Sequence, residues 1–247
     1  MLKFILLIVA AGSSNRLKGI DKPKQYIELG NNPILYHTIN NIITAPYIDY
    51  VKVIIKQEHE NLYNSCIAKI HNNKLLPFAY GGTRRQDSVR IGLESIKYLN
   101  PDFVIIHDAC RPFISTTLLD KMIPKLPHYV GVIPVLPITE TIHMVNEQDD
   151  TIITNINRNT LRLVQTPQIY RYSDILSNHI LSYKNDPHKE LPDESSLMIC
   201  HNIPIVTIEG SYHNIKITTR DDLHRAILLY EHMQNQISNH NFNLTIV

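Results

Sequence analysis

The 247-residue sequence has almost no net charge, few cysteines and no long apolar segment. Its 24 Lys+Arg and 23 Asp+Glu leave a net charge of +1, so no overall field attracts nucleic acid or anionic lipid. Cys66, Cys110 and Cys200 are odd in number and widely spaced, which fits neither a disulfide framework nor a zinc pattern and suits a reducing compartment. No segment approaches the ~20 apolar residues of a membrane span. We expect a cytoplasmic protein without nucleic-acid or membrane partners, in which any anion site is local.

Two familiar motifs are also missing. The 13 histidines show no metal-ligand spacing such as H-E-x-x-H. No G-x-G-x-x-G fingerprint follows the first apolar run, which argues against a dehydrogenase. That run, Phe4–Val9, is preceded by a single lysine and is at the short limit for a signal peptide. We therefore interpret it as part of the folded domain.

The run Phe4–Val9 is continuous and rich in branched residues, which is typical of a strand buried on both faces. Small residues follow at Gly12, Ser13 and Ser14, where backbone N–H groups can approach an anion closely. The cations behind this loop are Arg16, Lys22 and Lys24. We interpret the stretch as a triphosphate cradle. The alternative is an ordinary strand and turn followed by solvated basic residues.

Helix-like and strand-like patterns alternate after this loop. The predicted elements are a helix at Asn31–Ala45, a strand at Tyr50–Lys56, a helix at about Glu58–Ile70 and a strand at Leu75–Ala79. This order predicts an α/β fold with a mainly parallel sheet and helices on both faces. Ligands of such sheets bind at the carboxyl ends of the strands, so site residues are expected there.

The third strand ends at a glycine pair followed by polar residues. Backbone groups of Gly82 and Thr83 and the hydroxyl of Ser88 can hydrogen-bond the edge of a base. Asp87 can accept from a ribose or from an arginine. Because Thr83 and Gln86 have capping-box spacing, a capped helix start without a ligand is the alternative.

A buried strand at Pro101–Ile106 ends in His107 and Asp108, and Arg111 follows closely. A carboxylate at the tip of a central strand is costly to bury unless it is paired or holds a ligand. We expect Asp108 to contact a ribose or a metal-bound water, with Arg111 as its structural partner or as a phosphate ligand. A simple salt bridge between the two is the alternative.

A strand at Val130–Leu136 is followed by two strand-like arms, Thr141–Asn146 and Thr151–Ile156, joined by a polar loop. The apolar positions of these arms are Ile142, Met144, Ile152 and Ile156. A hairpin inserted into a doubly wound domain needs a surface that buries such side chains, and a second copy of the chain provides one. We therefore expect a homodimer formed through this β-arm.

The last third of the chain contains further polar candidates. Arg158, Thr166 and Thr141 can converge on an oxyanion, although each is also a common turn residue. Lys216 alternates with two isoleucines, so it points away from the face that they bury. Lys216 then faces either the active-site crevice or solvent.

The predicted elements of this region are a strand-like segment at Leu161–Val164, helices at Tyr172–Tyr183 and from Asp193, and a strand at Ile203–Ile208. Thr219 and Asp222 form a capping box for a final helix with an apolar stripe. From Gln234 onward the Asn-rich tail lacks periodicity, and we expect it to be loosely ordered.

Eight short motifs occur in the order A-A-G-x-x-x-R-L, K-P-K-Q-Y, G-G-x-x-R-x-D-S-V, H-D-A-x-R-P, E-T before N-R-N, T-P-Q, D-E-S-S and N-I-K-I-T. In this order and at these distances they resemble the methylerythritol phosphate cytidylyltransferases of isoprenoid biosynthesis, from Ile8 to about Tyr230. The resemblance implies one Rossmann-like nucleotidyltransferase domain at 1–233, with the β-arm at about 137–160 and a tail at 234–247, and no fused cyclase domain. It also implies transfer of a cytidylyl group from CTP to 2-C-methyl-D-erythritol 4-phosphate, release of pyrophosphate, Mg²⁺ as cofactor and a homodimer.

The same family pattern implies roles for individual residues. The residues implied to contact the triphosphate and its transition state are Arg16, Lys24 and Lys216. The implied nucleotide-binding residues are Ala10, Ala11, Gly12, Ser13, Ser14, Gly82, Thr83, Asp87, Ser88 and Asp108. Asp108 is also the implied metal position, directly or through water. The residues implied to bind the sugar phosphate are Arg111, Thr141, Arg158 and Thr166, of which Thr141 and Arg158 would come from the hairpin of the neighbouring subunit.

Three positions depart from the family pattern. Ser14 replaces a frequent glycine, Glu140 replaces an aspartate before the hairpin threonine, and Cys110 stands where alanine or valine is usual. The nearest alternative is a ribitol 5-phosphate cytidylyltransferase, which shares the loop, K-P-K-Q-Y and T-P-Q. The alternative of another class is a non-catalytic CTP-binding protein, and the retained cations argue against it.

Overall fold

The computed structural model describes residues 2–12 and 22–243, with side chains up to residue 236. The strands are β1 (Phe4–Ala10), β2 (Glu28–Leu29), β3 (Asn32–Pro33), β4 (Tyr50–Ile55), β5 (Ala79–Tyr80), β6 (Phe103–Asp108), β7 (Gly131–Pro137), β8 (Ile142–Val145), β9 (Ile152–Ile156), β10 (Arg162–Val164), β11 (Gln168–Arg171) and β12 (Ile205–Glu209). The helices are α1 (Ile34–Ile43), α2 (Glu60–Ile67), α3 (Arg85–Ser95), α4 (Thr116–Met122), α5 (Tyr172–Asn185), α6 (Glu194–Cys200) and α7 (Arg220–Asn243).

The central sheet is built around β1, which pairs in parallel with β4 on one edge and with β6 on the other. Across the described residues the strand order is β10-β7-β11-β6-β1-β4-β5. β10 and β11 pair with different parts of the same edge of β7, and β12 pairs in parallel with its opposite edge. β10 and β11 run antiparallel to their neighbours. The predicted fold class, an α/β domain with a mostly parallel sheet, is confirmed.

β1 is apolar throughout because helices cover both of its faces. Leu6 and Ile8 belong to a core cluster with α1, α2 and α4. Ile5 and Leu7 belong to a second cluster with α3, α5 and α6. Burying one such side chain contributes about 1.5–3 kcal/mol, so the strand that carries the predicted loop is held rigidly from both sides.

The predicted strand at Leu75–Ala79 is wrong in its extent. The structure has only β5 there, preceded by a single bridge between Leu75 and Val51. Pro77 lies between these pairs and has no N–H to donate to a ladder. Its carbonyl instead accepts a hydrogen bond from Nζ of the buried Lys52 at 2.6 Å.

The predicted capping box of Thr83 and Gln86 is also wrong. α3 begins at Arg85, after an extended N-cap residue, Arg84, and no side chain caps it. The guanidinium of Arg84 instead donates two hydrogen bonds of 2.8 Å to the carboxylate of Asp87. This fork holds Arg84 at the N-cap, so the helix starts one residue later than the box requires.

The capping box of the last helix is confirmed. The backbone N–H of Thr219 donates to Oδ2 of Asp222 at 2.9 Å, and the N–H of Asp222 donates to Oγ1 of Thr219 at 3.2 Å. α7 runs to Asn243 and so extends into the Asn-rich tail that begins at Gln234. That this tail is loosely ordered stays a prediction. Helix growth is cooperative and this segment contains no Pro or Gly to stop it. None of the helices in 2–12 and 22–243 is long and apolar enough to cross a bilayer.

The predicted hairpin is present as a two-stranded antiparallel sheet of β8 and β9, separate from the central sheet. It leaves and re-enters the domain where Pro137 of β7 pairs with Arg162 of β10. Ile152 and Ile153 are 65% and 59% exposed. The hairpin therefore presents an apolar surface that the chain itself does not cover.

Candidate active site

The carboxyl ends of β1 and β6 meet at one edge of the sheet, where Val9 lies opposite Asp108. The start of α3 packs over this edge so closely that a Cβ atom on Gly81 would lie 2.6 Å from both Ala11 Cβ and Ser88 Oγ. A cleft opens here, which we call the main cleft. Its lining is formed by residues 9–12, 24–25, 83–85, 88, 108–110 and 216.

Eight of the residues singled out in the sequence line the main cleft: Ala10, Ala11, Gly12, Lys24, Thr83, Ser88, Asp108 and Lys216. They come from β1, from a 3-10 turn, from the α3 start, from β6 and from the segment before α7. Ser13, Ser14 and Arg16 lie outside the described residues. The ends of β1 and β6, the start of α3 and the distant Lys216 thus meet in one cavity.

Asp108 is the electrostatic centre of the main cleft. Its Oδ2 lies 3.0 Å from Lys216 Nζ and 3.3 Å from Arg111 Nε, and its Oδ1 lies 3.5 Å from Arg85 Nη2. Burial would raise the pKa of this carboxyl, but Arg85, Lys216 and Arg111 together hold the pKa well below its usual range. Asp108 is therefore ionised, and the simple Asp108–Arg111 salt bridge is one part of a larger cluster.

Arg85 and Glu194 are site residues to which the sequence analysis gave no role. Arg85 Nη1 donates to both oxygens of Glu194 at 2.8 Å, and the Glu194 side chain is 1% exposed. Burial would lower the pKa of Arg85, but Glu194 and then Asp108 outweigh it and raise that pKa. Both residues lie in motifs quoted above, G-G-x-x-R and D-E-S-S. The two motifs are far apart in the sequence, and their residues alone do not indicate that Arg85 at the start of α3 contacts Glu194 at the start of α6.

His107 and Thr166 fix the tip of β6 from behind. The backbone N–H of Asp108 donates to Thr166 Oγ1 at 3.0 Å, and the same oxygen lies 3.0 Å from Nδ1 of His107. His107 Nε2 donates to the carbonyl of Arg111 at 3.1 Å. Burial is the main reason that the pKa of His107 is lowered to about 4, so the imidazole is neutral at pH 7.

A second cleft, which we call the side cleft, joins the main cleft at Arg85, Asp108 and Lys216. Thr166 and Arg111, both predicted to contact the sugar phosphate, line it. The other lining residues are Val164, Gln165, Gln168, Pro192 and Asp193. Asp108 and Lys216 thus stand between two adjoining cavities.

The segment that carries Lys216 has no regular secondary structure but is tied down on both sides. The backbone N–H of Ile217 donates to the carbonyl of Cys110 at 2.9 Å. Arg111 Nη1 donates to the carbonyl of Asn214 at 2.8 Å. Of the two directions that its alternation with isoleucines left open, Lys216 takes the one toward the cleft, where it contacts Asp108, although no strand forms.

The 3-10 turn Lys24–Tyr26 places Lys24 in the lining of the main cleft. Gln25 is buried, and its Nε2 donates to the carbonyl of Ala10 at 2.7 Å. This bond fastens the K-P-K-Q-Y motif to the end of β1. Gln25 was not predicted as a site residue, although it lies in that motif.

Gly82 and Asp87 line a shallower cleft on the outer side of α3. The backbone N–H of Gly82 donates to Ser88 Oγ at 3.2 Å. Asp87 accepts from Arg84 at 2.8 Å, so of the two predicted donors, ribose or arginine, the structure has the arginine.

Thr141 and Arg158 lie on the outer side of the molecule, at the base of the hairpin, and are exposed. Arg158 Nη1 donates to the carbonyl of Thr139. Neither residue is part of the lining of the main cleft or the side cleft. Their predicted contact with a substrate requires the site of a neighbouring subunit and stays a prediction.

A family model described as IspD, 2-C-methyl-D-erythritol 4-phosphate cytidylyltransferase, matches residues 4–231. The chain is 42% identical over 231 residues to a bifunctional enzyme IspD/IspF of Wolbachia pipientis wMel, covering 93% of this chain and 56% of that protein. It is 35% identical over 223 residues to a 2-C-methyl-D-erythritol 4-phosphate cytidylyltransferase of Clostridioides difficile, covering 90% of this chain and 92% of that one. The chain thus spans little more than half the length of the bifunctional relatives and nearly all of the Clostridioides protein.

Solved structures agree with this assignment. The structure of 4-diphosphocytidyl-2C-methyl-D-erythritol synthase from Anaerococcus prevotii is similar with a TM-score of 0.80 and 26% identity, covering 93% of this chain and 96% of that one. The cytidylyltransferase IspD of Francisella tularensis is similar with a TM-score of 0.76 and 29% identity, covering 92% and 99%. The extent of the family match and of these similarities shows that the chain belongs to the 2-C-methyl-D-erythritol 4-phosphate cytidylyltransferase (IspD) family.

Proposed function

We propose that this protein transfers a cytidylyl group from CTP to 2-C-methyl-D-erythritol 4-phosphate, which yields 4-diphosphocytidyl-2-C-methyl-D-erythritol and pyrophosphate in isoprenoid biosynthesis. The observation that carries the proposal is the cluster of Lys216, Arg111 and Arg85 around Asp108, with Lys24 in the lining of the same cleft. Family membership supports the reaction type.

In this reaction an oxygen of the substrate phosphate attacks the α-phosphorus of CTP. The bond from that phosphorus to the bridging oxygen breaks, and its electron pair leaves with pyrophosphate. The attacking phosphate is already anionic, so no side chain has to remove a proton. Catalysis then depends on in-line positioning and on neutralising the charge that builds up on the α-phosphate oxygens. Lys24 and Lys216, with Arg16 from outside the described residues, supply that charge.

The two adjoining clefts match the two substrates in this proposal. CTP takes the main cleft, with its base toward Thr83 and Ser88 and its triphosphate toward Gly12 and Lys24. The sugar phosphate takes the side cleft, next to Thr166 and Arg111. Lys216, which lies where the clefts join, is then next to the α-phosphorus of CTP, at which the two substrates react.

Asp108 fits a magnesium ion that arrives with the nucleotide. Mg²⁺ is usually held by one or two carboxylates together with substrate phosphates and keeps several waters. Among the described residues no three His, Cys, Asp or Glu side chains are grouped to hold a metal, so Asp108 would act alone, directly or through water. When bound, the ion offsets charge on the triphosphate and orients it.

We further propose a homodimer formed through the hairpin. The exposed apolar side chains of β8 and β9 support it, as does the position of Thr141 and Arg158 beside them. We also propose that the protein acts in the cytoplasm, because Cys66, Cys110 and Cys200 are all free thiols.

The deciding experiment is a pyrophosphate-release assay with CTP and each of two acceptors, 2-C-methyl-D-erythritol 4-phosphate and ribitol 5-phosphate. We expect release with the first acceptor and little with the second. Release with ribitol 5-phosphate alone would assign the protein to the ribitol enzymes. Tight CTP binding without release from either acceptor would identify a nucleotide-binding protein that does not catalyse the transfer.

A further inference from the structure

Arg85 lies between two buried carboxylates, Asp108 and Glu194, and is closer to Glu194 than to Asp108. Its Nη1 makes two charge-assisted hydrogen bonds of 2.8 Å to Glu194. Its Nη2 stays 3.5 Å from Oδ1 of Asp108, which is beyond a good hydrogen bond. Glu194 therefore holds the guanidinium back from Asp108.

This arrangement gives the two oxygens of Asp108 different surroundings. Oδ2 is taken by Lys216 at 3.0 Å and by Arg111 at 3.3 Å. Within the described residues, Oδ1 has only the longer contact with Arg85. One acceptor of the carboxylate is thus saturated and the other is kept available toward the cleft.

The position of Glu194 is itself fixed by its neighbours. It is the first residue of α6, whose N-cap residue Asp193 accepts from the backbone N–H of Ser196 at 2.9 Å. Asp193 also accepts from Nε2 of Gln168 on β11 at 2.8 Å. The start of α6 is therefore tied to the central sheet, and Glu194 cannot follow Arg85 if the guanidinium moves.

Helix stability does not explain the placement of Arg85. It is the first residue of α3, and a cation at a helix N-terminus is unfavourable because the positive end of the helix dipole lies there. A buried ion pair is also a weak source of stability compared with an apolar pair of the same volume. Arg85 is therefore better explained by a function in the main cleft than by a contribution to the stability of the fold.

We propose that Glu194 is a positioning residue that acts through Arg85 to keep Oδ1 of Asp108 available for an electropositive group of the bound nucleotide. That group is a ribose hydroxyl or the hydrated Mg²⁺ that travels with the triphosphate. The inference rests on the proposed function, because it takes CTP as the occupant of the main cleft. Without the charge of Glu194, Arg85 closes on Oδ1 and competes with the nucleotide.

The test is Glu194→Gln, which keeps the side-chain volume but removes the charge. We expect CTP, titrated calorimetrically into the folded variant, to bind about tenfold more weakly, in line with the loss of one charge-assisted hydrogen bond. Titration with Mg²⁺ and with a chelator separates the two sources: a loss seen only with Mg²⁺ identifies the ion, and a loss in both identifies the ribose.

The double variant Arg85→Gln/Glu194→Gln provides the readout that a merely structural role would not give. We expect it to bind CTP more tightly than Glu194→Gln alone, because the competing guanidinium is gone. Unchanged CTP affinity in folded Glu194→Gln, or weaker binding by the double variant, would overturn the inference. If Glu194→Gln does not fold, the double variant, which leaves no unpaired charge, is compared with the wild type and should bind CTP about as tightly, because no guanidinium competes for Oδ1.

The matched control is Glu94→Gln, near the other end of the same helix. It removes the charge of the carboxylate whose Oε1 lies 3.0 Å from Arg90 Nη1. It should leave CTP affinity unchanged. Failure of the inference and failure of the proposed function are distinguishable in these experiments. The inference fails if Glu194→Gln binds CTP as tightly as the wild type while the wild type releases pyrophosphate. The proposed function fails if the wild type itself releases no pyrophosphate.

Discussion

Lys216 joins the two clefts, and its ammonium is 3.0 Å from Oδ2 of Asp108. Replacing it with alanine should lower kcat by roughly 10²- to 10³-fold, because one preorganised contact typically supplies ~3–4 kcal/mol of transition-state stabilisation. Its side chain is more than a third exposed, so the fold should be retained. Steady-state kinetics and circular dichroism check both points. Lys121→Ala, an exposed lysine on α4, is the control, and near-normal turnover of Lys216→Ala would refute the assignment.

The buried His179 should make the stability of the fold depend on pH. Burial, and then Arg85 and Arg90, lower its pKa from 6.5 to about 3, and neither ring nitrogen has a hydrogen-bond partner among the described residues. The unfolded chain therefore binds an extra proton between about pH 3 and 6.5, so stability is full above 6.5 and falls as the pH is lowered. By pH 5 the loss from this group amounts to about 2 kcal/mol.

Urea denaturation near neutral pH and near pH 5 measures this effect. In His179→Met the loss of stability between the two pH values should shrink by about 2 kcal/mol, because the titrating group is gone. His128→Met, at an exposed site, should keep the wild-type pH dependence. An unchanged pH dependence in His179→Met would show that the buried imidazole is not responsible.

Single residues of the site were predictable where local sequence decides their direction. Asp108 follows a buried strand, so its place at the edge of the sheet is visible in the sequence. The alternation of Lys216 with apolar neighbours gave its direction only as a choice between cleft and solvent. Glu194 and Gln25 were not predictable in this way. Their roles depend on which helix start and which strand end pack together, and a single sequence does not carry that tertiary information.

Asp222 links the start of α7 to the segment that carries Lys216. Its Oδ2 accepts from the backbone N–H groups of Thr218 and Thr219, both at 2.9 Å, and from the Thr218 hydroxyl at 2.6 Å. Asp222→Ala should lower the free energy of unfolding by about 1–2 kcal/mol, as loss of a helix cap does. It should also lower kcat, because the segment ahead of the helix loosens.

Asp221→Ala is the matched control for this prediction, because Asp221 lies in the same helical turn but is exposed. Chemical denaturation and initial rates on both variants check it. Equal effects of the two substitutions would mean that the acidic first turn matters only through its charge.

The regular elements were largely predictable because their apolar periodicity is strong. β1, β4, β6 and β7 are runs of buried residues, and the cap of α7 has a reciprocal hydrogen-bond pattern that its sequence spacing implies. The failures have local causes. Pro77 interrupts the third strand, and the fork between Arg84 and Asp87 shifts the start of α3.

The proposed homodimer can be tested by mixing two inactive variants. If Arg158 of one subunit completes the site of the other, Arg158→Ala and Lys216→Ala should each be nearly inactive alone. In a mixed dimer one site then carries both substitutions and the other carries neither. Random mixing should restore about a quarter of the wild-type activity.

Subunit exchange followed by the pyrophosphate-release assay measures this recovery, and light scattering of each variant verifies that dimers form. Mixing Lys216→Ala with Lys24→Ala is the control, because both residues line the cleft of their own subunit and no intact site results. Absence of recovery in the first mixture would place Arg158 outside the shared site.

The hairpin and its closing pair have a consequence for how this family can vary. Pro137 and Arg162 face each other in the ladder of β7 and β10, so residues 138–161 depart from and return to a single point of the sheet. Lengthening a loop whose ends are already held together adds little to its closure entropy. The arm is therefore a unit that can change in length and sequence, or be exchanged for the arm of a relative, while the strands that hold Asp108 keep their register.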